Sequence, residues 1–131
     1  METLQPKDWR RASGYSHGVT AAGRLVFVAG QVGWDGQELF RSRDLVDQVR
    51  QALTNVLAVL AEAGAGPQHI ARMTWYLADK HEYNARLKEI GDVYREVVGR
   101  HFPAMTAVQV AGFVEEGAKV EIEATAVVPP T

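Results

Sequence analysis

Phe102-Pro103-Ala104-Met105-Thr106-Ala107-Val108-Gln109-Val110, and after it Val120-Glu121-Ile122-Glu123-Ala124, is the sequence on which the fold turns. Pro103 has no amide proton and halts a preceding helix, so the apolar run after it reads as a short strand. In the second segment, side chains two apart share a face. Glu121 and Glu123 project one way, while Val120, Ile122 and Ala124 project the other.

Working back toward the N-terminus, Tyr83, Leu87, Ile90, Tyr94 and Val97 or Val98 make an apolar helical stripe that ends at Gly99. Asp79 and Glu82 have capping-box spacing at its start. Residues 70–78 read as a strand with Met73, Trp75 and Leu77 on one face. A longer helix precedes it, with Leu45, Val49, Ala52, Leu53, Val56, Leu57 and Leu60 in register. Ser42 or Asp44 can cap its start, and Gly64 is placed to end it. Residues 16–21 and 25–32 read as two strands of a hairpin joined at Ala22-Gly23-Arg24, with a further short strand near Trp9. The order β-β-α-β-α-β-β predicts an α+β domain over residues 1–131, a mixed six-stranded sheet with two helices on one face. Leu25, Phe27 and Ala29 alternate with Val26 and Val28, so that strand is apolar on both faces. Two helices cover only one side of a sheet, and an uncovered apolar face marks an interface. A homo-oligomer is therefore expected; cover by the chain's own loops is the alternative.

Composition narrows the chemistry. An apolar share of 47% with 23% charged residues is that of an ordinary globular domain. A net charge of −2 gives no electrostatic footprint for nucleic acid. No apolar run reaches the roughly 20 residues of a membrane span, and residues 2–11 lack the apolar core of a signal peptide. A cytoplasmic protein with neither nucleic-acid nor membrane partners is expected. With no cysteine, thiolate ligands and thiol nucleophiles are excluded. His17, His69, His81 and His101 are scattered without metal-ligand spacing, so no metal is expected. Ser16 beside His17 makes no triad, since strand neighbours point to opposite faces. The Glu121/Glu123 pair has two readings: a solvated face balanced by Lys119, or a cleft in which one carboxylate orients a water.

Four pieces in order carry a resemblance: Gly14-Tyr15-Ser16-His17-Gly18-Val19, Leu25-Val26-Phe27-Val28-Ala29-Gly30-Gln31-Val32, Gln51-Ala52-Leu53-Thr54-Asn55-Val56 and Val120-Glu121-Ile122-Glu123-Ala124-Thr125-Ala126. With Pro103-Ala104-Met105-Thr106 they resemble the Rid family, the YjgF-like reactive-intermediate deaminases, over nearly the whole chain. The resemblance implies a chorismate-mutase-like fold and a homotrimer with a central β-barrel. It further implies small-molecule clefts between subunits, hydrolysis of enamines or imines, and no cofactor. Carried over by position, Glu121 would hold the water, Tyr15 would line the cleft, and the Gly30-Gln31 backbone would contact the ligand. Gly91, Met105 and Thr106 also fall at cleft positions.

Three positions depart from the family pattern. Met105 stands where the family has an arginine that grips the substrate carboxylate, Gly91 where many members have asparagine, and Ala107 where cysteine is frequent. A charge-assisted hydrogen bond contributes about 1.5–3 kcal/mol, so losing a two-bond grip weakens carboxylate binding by roughly tenfold to a few hundredfold or more. Arg24, Arg41, Arg43 and Lys119 are the candidates to replace that charge. Met105 and Trp34 either adapt the cleft to apolar or aromatic ligands or simply pack. Two functions stay open: an enamine or imine hydrolase of altered specificity, or a non-catalytic binding module on the same scaffold.

Overall fold

The computed structural model describes residues 1–130; residue 131, the end of the expected domain, lies outside them. β1 (Glu2–Leu4) and β2 (Gly18–Thr20) form an antiparallel ribbon. β3 (Arg24–Val32), β4 (Ile70–Leu77), β5 (Ala104–Gln109) and β6 (Val120–Val128) form a second sheet in the order β3-β6-β4-β5. β4 and β5 run parallel, which requires a crossover connection, and helices α2 (Lys80–Ala85) and α3 (Leu87–Val97) supply it.

The six strands therefore do not make the single sheet expected. Residues 16–21 and 25–32 do not pair as a hairpin either: β2 takes β1, whereas β3 takes β6 from Arg24↔Val128 onward. Ala22 does not readily supply the left-handed first residue that a tight hairpin turn needs. Gly23, at φ 151° and against the Val128 carbonyl, instead redirects the chain onto β6. The short extra strand lies at β1 rather than near Trp9. Pro6 cannot donate to a ladder, and Gln5 instead bonds the carbonyls of Pro6, Trp9 and Arg10.

Helix α1 (Leu45–Glu62) forms as its pattern dictates. Asp44 accepts hydrogen bonds from the amides of Val46 and Asp47, and Gly64 turns out at φ 69°. Its buried stripe packs over β3 and β6 and beside α3. Gln48 is buried at 1% exposure because its amide is fully used, donating to the Ser42 and Gly117 carbonyls and accepting from the Lys119 amide. The second helix breaks at Arg86, so Leu87 is half-exposed and the buried positions become Ile90, Val93, Tyr94 and Val98.

On the helix side of the sheet, Val28, Met73, Trp75, Ile122 and Ala124 join one core. The opposite side carries Leu25 at 56% and Phe27 at 72% exposure, the uncovered apolar face expected of that strand. No helix among the described residues is long and apolar enough to cross a membrane.

Candidate functional site

Because β5 is an edge strand, its outer side is open to whatever the neighbouring segments bring. Pro103 and Phe102, just before it, hold the N-terminal segment: the Ser16 amide donates to the Pro103 carbonyl at 3.0 Å, and its hydroxyl donates to the Phe102 carbonyl at 2.5 Å. That anchor delivers Tyr15 to the edge of β5, where it meets α3 across a cavity of about 680 Å³. Small-molecule sites fall in the range of about 300–1,000 Å³. Tyr15, Gly91, Met105 and Thr106, four of the residues expected at the cleft, all line it.

The cavity wall is aromatic. Tyr94 stacks on Phe102 with ring centroids 5.7 Å apart, and Trp75 lies 6.3 Å from Tyr83 and 6.4 Å from Tyr94. The Tyr94 hydroxyl donates to the His101 carbonyl at 2.6 Å. Burial pushes both the Tyr83 and Tyr94 phenols upward, so these rings stay neutral. Met105 pairs with Met73 across the parallel strands and packs against the core.

Glu121, Gly30 and Gln31 are elsewhere in the chain. A β-bulge between Val28 and Gln31 on β3 contains Gly30. The Glu121 carboxylate occupies the space that a Cβ at residue 30 would fill. Gln31 turns its amide onto the Ala29 carbonyl at 3.1 Å. Glu123 accepts a 2.7 Å hydrogen bond from the Tyr76 hydroxyl, and that carboxylate raises the Tyr76 pKa. Phe27, Arg72 and Thr74 share a smaller hollow with Glu123 on this sheet face. Lys119 does not balance the pair, because its ammonium lies 3.0 Å from Glu82. Trp34 packs against Phe40 at 5.6 Å while Asn55 bonds its carbonyl, outside the 680 Å³ cavity.

None of the cations considered from the sequence lines that cavity. Arg24 bonds the Ala63 carbonyl, Arg41 pairs with Asp35, and Lys119 with Glu82. Arg95 does line it, and sequence reasoning passed over it. The available signal was its spacing: residue 95 lies one helical turn beyond Gly91, on the same face.

A family model described as Endoribonuclease L-PSP matches residues 7–128. A goat (Capra hircus) protein named 2-iminobutanoate/2-iminopropanoate deaminase is 36% identical over 110 residues, covering 82% of this chain and 75% of its own. YyfB from Yersinia pestis, a Rid-family protein of unknown function, superimposes with a TM-score of 0.86 at 28% identity, covering 97% of this chain and 98% of that one. E. coli TdcF with bound serine superimposes at 0.69 with 30% identity, over 98% and 99% of the two chains.

Proposed function

This chain belongs to the Rid (YjgF-like) family, and we propose that it hydrolyses enamine or imine bonds in a cleft completed between copies of the chain. The observation that carries this reading is the division of the expected site. Tyr15, Gly91, Met105 and Thr106 share one cavity at the β5 edge, whereas Glu121 and Gly30 sit together on a separate stretch of sheet. A second copy that covers the apolar β3 face and brings its Glu121 to this cavity would unite the two halves. In the homotrimer we propose, three such contacts close a central barrel and make three equivalent clefts.

The chemistry needs no redox step. Water adds to the C=N carbon, and its proton passes by way of the Glu121 carboxylate to the nitrogen. The resulting carbinolamine loses ammonia as the C–N bond breaks and the carbonyl forms. The goat relative's name gives short 2-imino acids as its substrates, and TdcF holds serine; each of these small molecules carries a carboxylate. Met105 offers such a group no donor, so we propose altered specificity rather than the short imino acids.

The test follows the decay of imines generated in situ by an amino-acid oxidase, with both short and aromatic side chains. Loss faster than in buffer, and a fall to the buffer rate in Glu121→Gln, is the expected result. An unchanged rate in Glu121→Gln would remove the assigned role. No acceleration by the wild type would leave a binding module in place of the enzyme.

A further inference from the structure

We propose that Arg95 is the anion-binding group of the β5-edge cavity, and that the cavity takes a monocarboxylate bearing an aromatic or extended apolar side chain. This rests on reading the cavity as the ligand site, but not on turnover there. Three observations lead to it. First, Arg95 is the charged side chain among those lining the cavity; the rest of the lining is aromatic, aliphatic or neutral polar. Second, Asp92 holds one end of the guanidinium, accepting from Nη2 at 2.6 Å. The other nitrogen, Nη1, lies over Gly91, 3.3 Å from where a Cβ would stand. Gly91 thus leaves open the space in which the guanidinium rests, and an asparagine there would crowd it. Third, the pair with Asp92 is exposed, at 42% and 61%, so its charge is not locked away.

Two of the three departures from the family pattern, at Met105 and Gly91, then become one change. Removal of the cation at Met105 coincides with a glycine at 91 that admits a cation from the next turn of the helix. The anchor moves from the strand floor to the helix rim. The space between is walled by Trp75, Tyr83, Phe102 and Met105, surfaces that favour flat or apolar groups. A guanidinium offers a carboxylate a two-donor fork, which sets an acid apart from its uncharged amide.

The experiment titrates 3-phenylpropanoate, 3-phenylpropanamide and acetate into the full chain by calorimetry, using wild type, Arg95→Gln and Glu121→Gln. In the wild type the aromatic acid should bind saturably, and the amide and acetate should each be weaker by about tenfold or more. Arg95→Gln should close the gap between acid and amide by weakening the acid alone, which a merely structural role for an exposed residue would not do. Equal binding of acid and amide to the wild type, no binding of the acid, or a gap that survives Arg95→Gln would overturn the proposal. Acetate binding as well as the aromatic acid would overturn the assigned ligand class. Glu121→Gln separates this from the hydrolase reading: with a negative charge removed from the cleft it should bind the acid at least as tightly as the wild type, even where imine decay falls to the buffer rate.

Discussion

Gly30 and Glu121 interlock. The carboxylate of one fills the place where the other would carry a side chain, so the smallest substitution at residue 30 must move the acid. In Gly30→Ala the added methyl meets the end of a flexible side chain, and the carboxylate yields rather than the backbone. If Glu121 holds the water, displacement of about 1 Å lowers kcat on the order of tenfold to a hundredfold. The folded circular dichroism spectrum should be preserved; an unchanged kcat would separate Gly30 from the chemistry. At this scale the sequence was partly legible. Tyr15, Met105 and Thr106, expected together from their motifs, line one cavity, whereas the packing of Glu121 against Gly30 appears only in the fold. Arg95 had only its spacing from Gly91 to mark it, because its place also depends on the space left open at residue 91 and on the bond to Asp92, neither of which has a motif.

At the scale of elements, Asp44 caps α1 and also reaches across the fold. Arg86 bonds it at 2.5 Å and bonds Glu89 at 2.7 Å, tying the start of α1 to the break between α2 and α3. The hydrogen bond from Arg86 holds Asp44 below the usual carboxylate range, and Glu89 likewise. A folded pKa below the unfolded one adds stability that is fully present above the unfolded value, about 4, and is lost as pH falls through the depressed folded value. Asp44→Ala should cost about 1 kcal/mol for the cap alone. Asp44→Asn, which keeps a capping oxygen but cannot ionise, should lose less at pH 7 and show a flatter fall of Tm below pH 4 than the wild type. Parallel melting curves from pH 7 to pH 2 would refute the linkage. Helix α1 was legible end to end because its cap, stripe and glycine are all local. The break at Arg86 was not, since its Asp44 partner lies 42 residues away. The β2–β3 hairpin failed for the same kind of reason: β3 pairs with β6, a partner distant in sequence.

For the whole molecule, the proposed second copy would cover the exposed Leu25 and Phe27 face and bring Glu121 to the β5-edge cavity in one contact. A mass of three times the 14.4 kDa chain is expected by light scattering, and a monomer at low micromolar concentration would refute the assembly. Mass alone does not test whether a cleft draws on two chains, but complementation does. Glu121→Gln removes the acid and leaves the cavity; Gly91→Trp fills the cavity and leaves the acid. Each alone should be inactive in a homotrimer. Co-expressed in equal amounts and mixed at random, a cleft that takes its acid from one chain and its cavity from the next has both intact parts in about one case in four. Imine hydrolysis should therefore return to about a quarter of the wild-type rate. If the two halves came from the same chain, every cleft would carry one defect or the other, and mixing would restore nothing.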